Sequence, residues 1–181
     1  MNITKSKDIK MKIRQANKDD YDNIQELVKG AFHTAQMPYE NEDVFVLDLR
    51  TRDSFIPELE LIAEENGELV GHIILTKQIV KTKDEEYAGG LLLAPLCVKL
   101  EYRNKGIGAE LTYAGLEKAK ELGFTSVFLV GYPKYYTKFG FKEIGEFRIE
   151  NKTGIENKFV LGYELIEGCL SDVGGMIDHM E

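Results

Sequence analysis

The chain is poor in the residue types that would commit it to several common chemistries. It has two cysteines in 181 residues, Cys97 and Cys169, too few for a disulfide framework, and a reducing, cytoplasmic setting is the simple expectation. The three histidines, His33, His72 and His179, share no metal-ligand spacing, so no metal is expected. No apolar run approaches the ~20 residues of a bilayer span. The polar start Met1-Asn2-Ile3-Thr4-Lys5 is not a secretory signal, so no membrane partner is expected. Positive charge is in deficit as well. A formal net charge of −8 would repel a phosphate backbone, which argues against nucleic acid, and it suits a cationic amine.

What is present describes one ordinary folded domain, 43% hydrophobic and 30% charged, long enough to bury a core. Ile9, Met11 and Ile13 alternate with basic residues as a half-buried first strand. Ile24, Leu27, Val28, Ala31 and Phe32 mark one helix face; Val44, Leu47 and Leu49 suggest a second helix in a less regular stretch. Two apolar runs flank Asn66-Gly67, a strong hairpin signal. Leu111, Ala114, Gly115, Ala119 and Leu122 line a further helix that Gly123 ends. Phe159, Leu161, Tyr163 and Leu165 alternate as a final strand. The domain is thus expected over residues 11–166, with an extension at 1–10 and a tail without periodicity at 167–181.

The densest information lies between Leu91 and Gly123. An apolar strand ending at Leu96-Cys97-Val98 runs into Arg103-Asn104-Lys105-Gly106-Ile107-Gly108-Ala109 and directly into a helix. Free N–H groups, the positive end of a helix dipole and cationic side chains converge there, which is an anion site suited to a diphosphate. Lys99, Arg103 and Lys105 form a basic island on an acidic chain. Two familiar phosphate binders fail on spacing. No Gly-x-x-x-x-Gly-Lys-Ser/Thr run exists, and Gly106-x-Gly108 is followed by Leu111 where a dinucleotide fingerprint needs a third glycine. Pro95, inside the strand, marks a bulge or local break.

The pattern Arg-x-x-Gly-x-Gly-Ala after a strand resembles the pyrophosphate loop of the GNAT N-acetyltransferases. Lys134-Tyr135-Tyr136-Thr137-Lys138-Phe139-Gly140-Phe141 resembles that family's second element, a short helix entering a late strand. The two stand in the family's order, and the variant is similar to a bacterial subgroup of predicted acetyltransferases. The resemblance implies an α/β (α+β) fold: a mixed, mostly antiparallel sheet, splayed at the coenzyme strand and flanked by helices. It implies acetyl-CoA as co-substrate, direct transfer to a primary amine of a small molecule or peptide, and frequently a homodimer. Backbone groups of Arg103, Asn104, Lys105, Gly106, Ile107, Gly108 and Ala109 would hold the pyrophosphate; those of Leu96, Cys97 and Val98 would meet the pantetheine and thioester. Tyr136 falls on the family's tyrosine, the general acid, since a phenol near pKa ~10 can protonate a departing thiolate near ~8.5. For the base the choice is Glu42, with Glu40, Glu64, Glu65 and His72 as rivals. Val130-Gly131-Tyr132-Pro133 stands where many members carry a pantetheine-binding asparagine. That departure, with the unlocated base, leaves open a module that binds acyl-CoA without turnover.

Overall fold

The computed structural model describes residues 11–34, 42–83 and 85–180. Its centre is a nine-stranded sheet in which β1 (Met11–Gln15), β2 (Glu60–Glu65), β3 (Glu68–Lys81), β4 (Glu86–Val98) and β5 (Ser126–Val130) lie side by side. β6 (Lys142–Glu143), β7 (Ile149–Asn151), β8 (Val160–Glu164) and β9 (Gly175–Ile177) complete it. The order runs β1-β2-β3-β4-β5-β8-β6, and every pairing along it is antiparallel except β4 with β5. β9 turns back to pair with β7 and with Lys81 of β3. The helices are α1 (Tyr21–His33), α2 (Glu42–Leu49), α3 (Ile107–Glu121) and the short α4 (Pro133–Tyr136). Among the described residues no helix is long and apolar enough to cross a membrane.

Local chemistry sets these boundaries. Asn66 and Gly67 both take positive φ, 55° and 82°, as a two-residue hairpin between β2 and β3 requires. Gly123, at φ 87°, ends α3 in the left-handed conformation expected past a helix terminus. Strand alternation sends residues to two faces. On one, Leu61, Ala63, Ile73, Leu75, Leu91 and Leu93 meet Ile107, Leu111 and Leu116 of α3. On the other, Ile62 and Cys97 meet Ile24, Leu27 and Val28 of α1 and Val46 of α2.

Two expectations need correction. α2 exists, but it buries Val46 and Leu49, while Val44 and Leu47 are 54% and 40% exposed. Four consecutive apolar residues, Val44, Phe45, Val46 and Leu47, with Leu49 after Asp48, reach every side of the helix, so periodicity could not choose its face.

 The second correction concerns the chain after residue 166. It is not a frayed tail: Leu170 and Ile177 are 0% and 1% exposed and pack with Val80, Phe128, Ile144, Ile149 and Val160. A strand of three residues is too short to announce itself by alternation, so β9 is defined by its neighbours. The extension at 1–10 lies outside the described residues.

Because Leu170 belongs to this core, Leu170→Ala is expected to cost about 2–5 kcal/mol of unfolding free energy, read as a lower urea midpoint. An independent tail would leave the midpoint where it was.

Candidate active site

The site begins where two paired strands part. β4 and β5 are in parallel register only at Gly90–Ser126, Leu91–Val127 and Leu92–Phe128. Beyond Leu92, β4 continues along β3, with Ile73 opposite Leu96, His72 opposite Cys97 and Gly71 opposite Val98. Between Ile73–Leu96 and Leu75–Leu93 the register shifts, because β4 spends an extra residue around Ala94-Pro95. This is the bulge that Pro95 signals, placed where a missing N–H does least harm. β5 stays with β8 to its end, Val130 opposite Val160. The gap between β4 and β5 opens into a cleft of about 1010 Å³.

The cleft gathers most of the residues singled out from sequence. Leu96, Cys97, Val98, Arg103, Asn104, Gly106, Ile107, Gly108 and Ala109 line it, and so does Tyr136; Lys105 does not. Their main chains differ in what they offer. Lys99 N–H bonds the Val70 carbonyl at 2.9 Å, so the alternation of an antiparallel ladder turns the Cys97 main chain toward β3 and those of Leu96 and Val98 toward the gap. The Val98 carbonyl accepts from Arg103 Nε at 3.1 Å.

In the turn before α3, Asn104 and Gly106 take positive φ of 62° and 88°. The N–H groups of residues 104–108 make no hydrogen bond to another described residue. With the first turn of α3 they form a concave nest of donors, the geometry that receives phosphate oxygens. The basic side chains are otherwise engaged. Arg103 Nη2 donates to the Ala31 carbonyl at 2.7 Å and to Thr34 Oγ1 at 3.0 Å, which ties the loop to the end of α1. Lys99 is held by Glu68, and Lys105 Nζ sits 4.6 Å above the Tyr102 ring.

On the far wall, Pro133 opens α4 at its first turn, where its missing N–H is no loss. Tyr136 stands edge-on to Tyr135, with ring centroids 4.9 Å apart, and to Phe141 at 5.7 Å. Burial, and then the neighbouring Tyr135, hold the Tyr136 phenol above the ordinary tyrosine value, so it carries its proton throughout the neutral range. Gly131 lies in the Val130-Gly131-Tyr132-Pro133 segment that stands where many members carry the asparagine. A Cβ there would lie 2.5 Å from the Tyr136 ring, so the ring occupies the space of any side chain. Gly108 stands likewise against Tyr135, whose hydroxyl would be 2.7 Å from an added Cβ.

The candidate bases are dispersed. Glu42 heads α2, but its side chain lies outside the described residues, as does the whole of Glu40. Glu64 is bound to Arg14 at 2.7 Å on β2, and neither it nor Glu65 lines the cleft. His72 is wholly buried, its Nε2 2.9 Å from Glu60 Oε1, and Arg50 Nη2 reaches the same oxygen at 2.6 Å. The Arg50 guanidinium also lies 3.7 Å over the Tyr21 ring. This buried Arg50–Glu60–His72 cluster was not legible in the sequence, since nothing in the spacing links its members. It fastens the end of α2 to β2 and β3. Burial lowers the His72 pKa against the opposing pull of Glu60, so the ring is neutral. Burial works against the Glu60 carboxylate, yet the hydrogen bonds from His72 and Arg50 prevail and lower its pKa.

A splayed parallel pair, a donor nest at a helix start and a tyrosine on the opposite wall define an acyl-coenzyme-handling acetyltransferase fold. The family description "Acetyltransferase (GNAT) domain" matches residues 12–144, and the chain belongs to that family. The Escherichia coli K12 N-acetyltransferase YhbS is 27% identical over 163 residues, covering 90% of this chain and 92% of the relative. YjhQ, an N-acetyltransferase of the same strain, is 32% identical over 126 residues, 70% of this chain and 66% of its own. The crystal structure of E. coli YhbS in complex with CoA shares the fold, with a TM-score of 0.82 at 24% identity over 96% of this chain and 92% of that one. A GNAT acetyltransferase from Brucella melitensis in complex with acetyl-CoA has a TM-score of 0.66 at 29% identity over 74% and 83% of the two chains.

Two outcomes follow from this geometry. A histidine that is neutral when buried and free to take a proton near pH ~6.5 when unfolded makes the unfolded state bind more protons in mild acid. Stability should therefore fall as pH drops through that value, by up to about 1.4 kcal/mol per pH unit, with a further loss below the ordinary carboxylate range as Glu60 protonates. His72→Gln should flatten the slope of thermal midpoint between pH 7.5 and 5.5; an unaltered slope would show that other groups set it. Separately, Gly131→Ala should displace the Tyr136 ring and lower kcat while the fold persists, as circular dichroism would report.

Proposed function

We propose that this chain transfers an acetyl group directly from acetyl-CoA to the primary amine of a small molecule or peptide. The observation that carries the reading is the meeting, in one cleft, of the donor nest before α3, the unpaired edge of β4 and the Tyr136 phenol. Main-chain N–H groups of residues 104–108 suit the pyrophosphate. The freed edge at Leu96 and Val98 suits the pantetheine arm and the thioester carbonyl, where an N–H can stabilise developing negative charge.

In the proposed step the acceptor ammonium first releases a proton to solvent; the freed lone pair attacks the thioester carbonyl carbon and the C–S bond breaks. Tyr136 gives its hydroxyl proton to the departing sulfur, and the nitrogen sheds its extra proton to a carboxylate, assigned to Glu42 at the head of α2. Keeping the phenol protonated costs nothing at neutral pH, because burial already favours its neutral form. The exposed residues around the cleft mouth would select the acceptor.

The first test is thermal unfolding with acetyl-CoA at 100 times its Kd, which should add about 2.7 kcal/mol of stability, against ATP and NAD as controls. Tyr136→Phe should retain that shift but lose about 10²-fold in kcat for CoA release with an amine panel. Full activity in the variant across the pH range would remove Tyr136 from the acid role. A coenzyme shift without turnover of any amine would favour a binding module instead.

A further inference from the structure

The described lining of the cleft carries three charged side chains: Arg103, Lys138 and Glu156. Arg103 is spent on the end of α1, and Lys138 Nζ rests 4.0 Å above the Tyr135 ring. Glu156 is the one carboxylate among them. It stands in the connection between β7 and β8. A tight turn holds it, with Phe159 N–H bonding the Glu156 carbonyl at 3.0 Å. The same turn is fixed to the wall that bears the phenol: Gly131 N–H bonds the Phe159 carbonyl at 2.9 Å, and the Tyr136 ring lies on Gly131. Phe159 and Tyr132 meet edge to face at 5.8 Å beside it, both lining the cleft.

This corner already holds an alkylammonium. Lys158 Nζ is 2.6 Å from Glu156 Oε2 and 4.8 Å over the Phe159 ring. A carboxylate and an aromatic face are the two groups that attract an organic cation. The pair is solvent-exposed, 60% and 69% for its two side chains, and exposed pairs of this kind exchange partners easily. Resting on the acetyl-transfer reading above, we infer that Glu156 is the seat of the acceptor's ammonium and that Lys158 is an internal occupant the acceptor displaces. The acceptor class is then an aliphatic amine, cationic at neutral pH on an alkyl stem. A weakly basic arylamine, uncharged at neutral pH, gains no ion pair from this corner.

The test is steady-state CoA release at pH 7.5 with hexylamine, 6-aminohexanoate and 4-methoxyaniline. Glu156→Gln should raise the hexylamine KM about tenfold, the worth of one charge-assisted contact, with the acetyl-CoA KM unchanged. Lys158→Ala should move the hexylamine KM the other way, downward by several-fold, because the competitor is gone. Neither variant should alter the arylamine. Equal hexylamine KM values in all three proteins would overturn the inference while leaving acetyl transfer intact. So would a rise in KM for Lys158→Ala matching that of Glu156→Gln, which would mark the pair as structural. Failure of the unmodified protein to acetylate any of the three amines, despite a thermal shift with acetyl-CoA, would remove the reaction and this seat with it.

Discussion

Everything at the site depends on β5 having two neighbours and keeping faith with only one. Its five residues are all in register with β8, but three positions suffice to exhaust its pairing with β4. β4 is held on its other side by β3 as far as Val98, so it cannot follow β5 as the latter turns away. The result is a strand edge inside the protein whose main-chain groups no second strand takes up. Such an edge is expensive unless solvent or a ligand satisfies it. The bulge at Ala94-Pro95 eases the parting, since proline has no donor to leave unpaired. The cleft is thus a property of strand pairing first and of side chains second.

The distribution of charge supports the same view. Basic side chains near the cleft act mainly as internal fasteners: Arg103 ties the loop to α1, Lys99 engages Glu68, and Arg50 ties α2 to the sheet through Glu60. Positive potential for an anion then comes largely from backbone dipoles at the start of α3. That solution suits a chain of net charge −8, because oriented N–H groups act only at short range and do not depend on the overall field. The Arg50–Glu60–His72 cluster shows the complementary case. Its charges are buried apart from the cleft lining, and they tie the end of α2 to the sheet.

Elements whose signals are local were readable from the residues. Asn66-Gly67 specified a hairpin, Gly123 a helix end, and the run from Leu96 to Ala109 a strand, turn and helix start with a definite ligand chemistry. What could not be read depends on contacts distant in sequence. The face of α2 follows from its tether to Glu60, ten residues away, and β9 from its pairing with β7 and Lys81. Arg103 looked like an anion-binding side chain because its spacing cannot reveal that Ala31, seventy-two residues earlier, competes for its guanidinium. Glu156 sits in a stretch without periodicity, and only its return to the mouth of the cleft distinguishes it from other surface carboxylates.

Gly131 turns what looks like a deficit into a constraint. By sequence it belongs to the Val130-Gly131-Tyr132-Pro133 segment that stands where many members carry an asparagine; by structure it is the residue that leaves room for the Tyr136 ring just past the end of β5. A side chain at Gly131 and the Tyr136 ring cannot both occupy that space. The same economy recurs at Gly108, which yields its side-chain space to the Tyr135 hydroxyl at the start of α3. Two glycines therefore make room for two neighbouring tyrosines of α4. The main-chain groups of β4 that its parting from β5 leaves without a strand partner face the same cleft.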